Sequence, residues 1–407
     1  MKRNLVIGSL LLMTSVPALN PVVCAAHFGD DAAFLKGHTE IIVLSDPAGR
    51  AKLAIAPAWQ GRVMTSTAEG DSGLSFGWIN RELIASGKIL EHINPFGGED
   101  RFWMGPEGGQ FSIFFARGAK FELSDWHTPP VLDTVPWKTV HHAGQQARFV
   151  SEFTLTNYAG TRFVVAAARE VRLLNPDAVW QKFGVRAPNG LSVVAYESDN
   201  QVTNMGQTDW KKETGLLSIW ILGMFNPSPS ATIVVPIQPG AESQLGVKVT
   251  SDYFGQIPPE RLKVKDSVIF FSADGKFRSK IGISPKRSRA ILGSYDPDHR
   301  CLTLVQFTQP SNVTDYVNSL WKIQENPFQG DAANSYNDGP PAPGAKPLGP
   351  FYELESSSPA LALTPGQSYS HIHRTVHLTG SISALDEVSR AVLGVSLEEI
   401  QTALGNP

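Results

Sequence analysis

Apolar positions in this chain fall in short runs: IIVL (41–44), AKLAIA (51–56), GRVMTST (61–67), FSIFFA (111–116), KFELS (120–124), ARFVSEFTLTN (147–157), RFVVAAAREVRLL (162–174), SVVAYES (192–198), ATIVVPI (231–237), SVIFFSA (267–273) and CLTLVQF (301–307). They are rich in Val, Ile, Phe and Thr and bounded by Gly, Pro, Asn or Asp, the pattern of strands closed by turns. FYELESSSPALALTPGQSYSHIHRTVHL, Phe351 to Leu378, reads as two further strands folded about Pro365-Gly366. The 36 Gly and 29 Pro punctuate these runs, so the expected class is all-β with many antiparallel strands. No repeat of ~20–50 residues is visible, which disfavours propellers and solenoids.

Helical periodicity is expected only at the end. In SISALDEVSRAVLGVSLEEIQTAL, Ser383 and Ser396 are N-cap candidates, Glu399 completes a capping box with Ser396, and Leu397, Ile400 and Leu404 share one helical face. QGDAANSYNDGPPAPGAKPLGP, Gln329 to Pro350, is too rich in Gly, Pro, Asn and Asp for a regular element, and we read it as a long surface loop over the mouth of a site. The expected organisation is a β domain over residues 38–380 followed by a helical appendage over 381–407.

Composition narrows the function classes. Of 407 residues, 18% are charged and 42% hydrophobic, and the formal net charge is -3. With no Lys/Arg block, a nucleic-acid partner is not expected. The N-terminus has Lys2 and Arg3, an apolar run from Leu5 to Val16, and small residues at Ala25 and Ala26. This is the form of an export signal over residues 1–26, and it predicts a soluble periplasmic or extracellular protein. The run is shorter than the ~20 residues needed to span a bilayer. Cys24 lacks the small residue that precedes a lipidated cysteine, so a lipid anchor is the less favoured reading. Cys301 is then alone in the mature chain and reads as a buried thiol.

Chemistry concentrates in four places. Residues two apart on a strand share a face, which groups Glu353 with Glu355 and His371 with His373 and His377. Folding the strands about Pro365-Gly366 would put both groups on one face, and a carboxylate beside an imidazole would hold it protonated to higher pH. Solvated polar faces are the alternative reading. Asn94 to Phe115 combines five glycines with Glu99, Asp100, Arg101, Trp103 and Glu107, a mixture that suits sugars: charged groups bond hydroxyls and an aromatic ring covers the apolar C–H face. SDWHTPPVLDTVPW adds His127, and YESDNQVTNMGQTDW adds Asn200, Asn204 and Trp210. His371-Ile372-His373 with Glu355 also admits a metal, but two imidazoles without a third recognisable ligand are a weak signal. No cofactor motif is present, and the expectation is that the protein uses neither metal nor cofactor.

LAIAPAWQGRVMTSTAEG, GGEDRFWMGPEGG and FYELESSSPALALTPGQS together resemble, in chain order, segments of the galactose-mutarotase-like proteins, the aldose 1-epimerases and their relatives. The resemblance implies an antiparallel β-supersandwich with a sugar site on its concave face. It implies Glu355, with Glu353 as alternate, for the general base and Arg101 for substrate binding. The epimerases carry a mid-chain catalytic His after an Asn; here no His occurs between His142 and His299. His127 or His373 is then the candidate acid. Glu99, Trp103, Asn204, Trp210 and His377 complete the substrate-binding candidates, with Trp103 or Trp210 as the platform. Two functions stay open: an exported epimerase-like acid/base enzyme acting on a sugar, and a non-catalytic glycan-binding protein.

Overall fold

Three sheets take up the strand signals in the computed structural model, which describes residues 26–405. The expected export signal, with Cys24, lies outside the described residues except for Ala26. A three-stranded sheet joins Ile42–Ser45, Lys52–Ala56 and Arg62–Thr67. A ten-stranded sheet runs in the order Leu262–Val264, Val268–Ser272, Thr232–Pro236, Ile291–Asp296, Cys301–Phe307, Ser368–Gly380, Leu191–Asn204, Arg162–Leu173, Gln146–Thr156 and Lys138–Ala143. A five-stranded sheet runs Ser279–Ile283, Ala333–Asn337, Tyr352–Ser357, Ser218–Phe225 and Arg101–Gly105. Neighbouring strands in all three are antiparallel. The expected all-β antiparallel class is the observed one.

The five-stranded sheet lies against the ten-stranded one. Its inward positions Phe102, Met104, Ile219 and Ile221 share a core with Val165, Val194 and Val202, while Tyr352, Leu354 and Ile281 share another with Ile233, Ile269 and Val305. The opposite face of the ten-stranded sheet is covered by helices: Leu385, Val388, Leu397, Ile400 and Leu404 meet Val234, Leu302 and Leu378. Burying both faces removes a large apolar area from water, at about 25 cal/mol per Å². The last helix, Leu397–Thr402, begins at the expected cap, with Ser396 Oγ accepting from the Glu399 amide at 3.0 Å. No helix of the described residues is long and apolar enough to cross a membrane.

Five expectations change. The two strands of the 351–378 stretch do not form a hairpin: Tyr352–Ser357 pairs with Ala333–Asn337 and Ser218–Phe225, whereas Ser368–Gly380 pairs with Cys301–Phe307 and Leu191–Asn204 in the other sheet. The connection is too long for a tight turn and sends Leu361 and Leu363 into the core, which carries the chain between layers. FSIFFA and KFELS form no ladder; Phe114 stacks on Trp126 at 5.7 Å and Phe115 meets Trp321 edge-on at 5.2 Å, so the apolar run serves an aromatic cluster instead. Within the Pro-rich segment, Ala333–Asn337 is a paired strand on both sides. Tertiary pairing overrides its poor propensity: Ser335 Oγ donates to the Glu353 carbonyl at 2.6 Å, and Asn337 Nδ2 donates to the Phe277 carbonyl at 2.9 Å. Helix Ile382–Val392 starts at Ser381, not Ser383, because Ser381 Oγ accepts from the Ala384 amide. Helices also occur earlier, among them Pro176–Phe183 between its Asn175 cap and Gly184, and Phe28–Lys36, which precedes the expected domain start and packs beside Ala54, Met64 and Phe96.

Candidate functional site

The alternation that sends Phe102, Ile221, Ile281 and Leu354 inward turns the residues beside them outward. Arg101 and Trp103, Trp220, Leu222 and Met224, Lys280, Tyr336, and Glu353 all line one cavity of about 180 Å³ on the far side of the five-stranded sheet. Register places Glu353 opposite Met224 on one side and Tyr336 on the other, with Tyr336 opposite Lys280. The walls come from outside the sheet: Trp126 and Trp321, Phe254, Phe351, and Gly339, Pro341, Lys346 and Leu348 from the loop that follows Ala333–Asn337. The part of the Pro-rich segment beyond Asn337 borders the cavity, while Ala333–Asn337 is a strand of its floor and not the loop expected. The volume is below the ~300–1,000 Å³ of drug-sized sites and suits one small ligand.

Two buried ion pairs form the floor. Arg101 Nη2 donates to Glu353 Oε1 at 2.9 Å, with 2% and 7% of the side chains exposed. Lys280 Nζ donates to Glu355 Oε2 at 3.0 Å, and the Trp220 indole N–H donates to the same oxygen at 2.9 Å. Each cation also sits over an aromatic face, Arg101 at 4.2 Å from the Trp103 ring centre and Lys280 at 4.6 Å from that of Trp220. Burial is the first cause that lifts the Glu353 carboxyl above the ordinary carboxylate range; Arg101 pulls it back and Glu355 pushes it further up. Burial likewise raises Glu107, against the pull of Lys280. For Lys280, burial alone would lower the ammonium, but Glu355, Glu107 and Glu353 hold it above its usual value. The cavity thus joins carboxyls that bind protons more tightly than usual to a lysine that keeps its own, the separation that acid/base chemistry uses.

The sequence candidates divide into two groups. Arg101, Trp103 and Glu353 line the cavity, while Glu355 lies just beneath it, wholly buried, holding Lys280 and the Trp220 indole. The others stand elsewhere. His371 and His373 are on the ten-stranded sheet and face the back of the five-stranded one, where both rings meet Ser356 Oγ at 2.8 Å. Burial lowers His371 to about 3 and His373 to about 4, opposite to the raised, protonated state expected beside a carboxylate. The reason is the two-sheet arrangement: Ser356, an inward position, is their neighbour, and Glu353 and Glu355 point away. His377 Nε2 meets Glu99 Oε2 at 3.0 Å, and this carboxylate also accepts from Ser66 Oγ and the Tyr196 hydroxyl, all inside the interlayer. His127 is exposed, its ring 4.5 Å from that of His92, beside Trp126 but not lining the cavity. Asn204 Nδ2 donates to the Thr208 and Leu363 carbonyls at 2.9 Å and fixes a loop. Trp210 packs edge-on to Phe163 in the core. Glu355 and the His371/His373 pair belong to different faces, and among the described residues no three His, Cys, Asp or Glu are grouped to hold a metal ion.

Sequence reading missed Lys280, Arg278, Trp220, Tyr336 and Trp321. SKIGI carries only one charge among small and branched residues and SIWILGMF is a continuous apolar run, so neither announces a cavity face. The signal available was parity within those runs, which aligns Lys280 and Trp220 with Glu353 once the sheet is known.

Fold and site together define a two-layer antiparallel β protein with a small, charged, aromatic-walled cavity on the outer face of its lesser sheet. The chain belongs to the family described as "Family of unknown function (DUF6786)", whose model matches residues 26–404. Among curated proteins none matches. Solved structures similar to it include the Slr1438 protein of Synechocystis, at 14% identity over 84% of this chain and 96% of that one, with a TM-score of 0.49. A galactose mutarotase-like protein of Lactobacillus casei is 11% identical over 83% of this chain and 100% of that one, with a TM-score of 0.44. A galactose mutarotase related enzyme of Lactobacillus acidophilus is 10% identical over 84% and 98%, with a TM-score of 0.47. The last two bear the name of the superfamily that the sequence resembles.

Proposed function

We propose that this protein binds a sugar in the cavity of the five-stranded sheet and acts on it by acid/base chemistry, with Glu353 as the proton-transferring group. The observation that carries the reading is the buried Arg101–Glu353 pair on the floor of a cavity walled by Trp103, Trp126 and Trp220. Aromatic rings cover the C–H face of a sugar, and a guanidinium and a carboxyl bond its hydroxyls with the stronger, charge-assisted class of hydrogen bond. Glu353 takes the exchange role, and Glu355 the positioning role, because only Glu353 reaches the cavity while Glu355 is spent on Lys280 and Trp220. Lys280, cationic and lining the same floor, supplies the positive charge that a departing or ring oxygen requires.

Anomer interconversion is the simplest reaction this set supports: Glu353 takes the proton of the anomeric hydroxyl as the C1–O5 bond breaks, Lys280 gives one to the ring oxygen, and the reverse transfers close the ring on the other face. A positioned acid or base is worth about 10²–10⁴-fold. NMR magnetisation exchange between α and β anomers of free aldoses and uronates tests it: faster exchange with the wild type, and a drop of about 10²-fold in Glu353→Gln, is expected. Absence of acceleration for every sugar that binds would overturn the catalytic half of the proposal. A second reading, glycan binding without turnover, is favoured by one feature: among the described residues no histidine lines the cavity. Binding without acceleration would select it. Export from the cell is part of the same proposal, and N-terminal sequencing of the secreted chain, expected to begin near His27, checks it.

A further inference from the structure

We propose that the ligand of this cavity is an acidic sugar, a uronate whose carboxylate is held by Arg278 and Lys346. The inference rests on the carbohydrate reading above and names its substrate class.

Charge pairing in the cavity is incomplete on one side. Four cations line it, Arg101, Lys280, Arg278 and Lys346. The first two have carboxylate partners in Glu353 and Glu355. Among the described residues, no carboxylate stands within ion-pair distance of Arg278 or Lys346. Arg278 is nevertheless held in place, its guanidinium 3.9 Å from the centre of the Phe254 ring, a wall of the same cavity. Stacking on a ring leaves the edge of the fork, with its paired N–H groups, able to meet a planar carboxylate as well as the neighbouring Tyr336 hydroxyl. Lys346 is exposed on the loop at the mouth, where its ammonium can follow the ligand.

The remaining acids of the lining, Asp338 and Glu107, lie near Arg278 but form no ion pair with it or with Lys346 among the described residues. Asp338 Oδ1 accepts from the Tyr336 hydroxyl at 2.7 Å and its Oδ2 from the Gly349 amide at 2.8 Å, so its oxygens are committed to holding the loop. Burial raises Asp338 and Glu107, and the charge of Arg278 pulls both back.

Hydrogen bonding gives an independent observation of the same sign. The buried polar atoms without a partner on cavity-lining residues are Arg101 Nε and Nη1, Trp103 Nε1 and Trp126 Nε1. Arg101 is 2% exposed, Trp103 3% and Trp126 5%. Every one of these atoms is a donor; Glu355 Oε1, an acceptor without a partner among the described residues, lies beneath the floor and not on the lining. Each hydroxyl of a neutral sugar accepts but also brings one O–H that needs an acceptor, whereas a carboxylate only accepts. Unmet donors and unpaired cations in one small cavity therefore call for an acceptor-rich, anionic ligand.

Calorimetric titration of the full mature chain tests this, with D-galacturonate and D-glucuronate against D-galactose and D-glucose, and galactose 6-phosphate as a third arm. At least one uronate is expected to bind about tenfold or more tighter than its neutral parent, a ratio that shrinks at high salt. In Arg278→Gln, and separately in the exposed Lys346→Ala, the ratio falls towards one, and Arg278→Lys restores part of it. Equal affinity for uronate and parent sugar overturns the inference and leaves the carbohydrate reading standing. Tighter binding of the phosphate than of either uronate overturns the carboxylate assignment. Binding of no sugar in any arm overturns both readings.

Discussion

Acidification should destabilise this protein through two histidines that never touch the cavity. His371 and His373 are fully buried between the sheets, bonded to a shared Ser356 hydroxyl. Around His371 stand Thr308 Oγ1 and the Phe307 ring; around His373, Asp100 favours the charged form while Arg169 and Arg374 oppose it. In the unfolded chain both take up a proton near pH 6.5, but in the fold burial delays this to about 3 and about 4. Between those limits the unfolded state binds more protons, so stability falls as pH falls. Each histidine loses about 1.4 kcal/mol per pH unit below 6.5, which is about 2 kcal/mol apiece at pH 5 and about 4 kcal/mol for the two. With an unfolding entropy of ~2.1 cal/mol/K per residue, a 407-residue chain loses about 5 °C of melting temperature for that amount.

The assay is calorimetric melting from pH 7 to pH 5 of the wild type and of His371→Gln/His373→Gln, in which the amides can keep the bonds to Ser356. Glu353, Glu107 and Asp331 act with the opposite sign, since burial raises them and the fold binds their protons more tightly as pH falls. They are common to both proteins and cancel in the difference. Whatever the gap at pH 7, the wild type should lose about 5 °C more than the variant on the way to pH 5. A gap that stays constant over that range would refute the reasoning, because the histidines would then titrate alike in folded and unfolded chains.

Two further outcomes follow from the same geometry. Lys280→Met leaves the Glu355 carboxylate, 0% exposed, with only the Trp220 indole as partner, and should cost about 3–5 kcal/mol in chemical denaturation; Lys280→Met/Glu355→Gln should recover most of this, and equal losses in the two variants would dismiss the pair as a charge interaction. Limited proteolysis should cut within the exposed residues 340–347 without releasing a folded piece from Phe351 onward, since Tyr352–Ser357 is paired on both sides in the five-stranded sheet; a stable C-terminal fragment would break the single-domain organisation.

What the sequence revealed depended on which sheet a strand belongs to. The ten-stranded sheet was legible where one face is buried and the other meets solvent, as in Arg162–Leu173, whose burial alternates almost residue by residue. CLTLVQF and ARFVSEFTLTN also read as strands and are strands. In the five-stranded sheet, only Tyr352–Ser357 was read correctly. Arg101–Gly105, Ser218–Phe225 and Ala333–Asn337 are buried at every position, because one face meets the core and the other a walled cavity. Period-two contrast disappears when both sides are dry.

That loss of contrast is itself informative about the site. On these strands the cavity side holds Arg101, Trp103, Trp220, Lys280, Tyr336 and Glu353, residues that no solvent-free sheet face would carry for packing alone. Burying a charge is costly unless it is paired, and the outer face meets that cost with the Arg101–Glu353 and Lys280–Glu355 pairs rather than by substituting apolar residues of similar volume. The late histidines look similar in sequence but sit differently: they complete an interlayer network with Ser356, Thr303 and Glu99, in which burial disfavours the charged form of His371 and His373. Parity placed Glu353 and Glu355 together and His371, His373 and His377 together correctly. Only strand pairing could tell that the first group lies on the cavity side of its sheet and the second faces inward, and pairing was the one property that a single turn motif, Pro365-Gly366, could not supply.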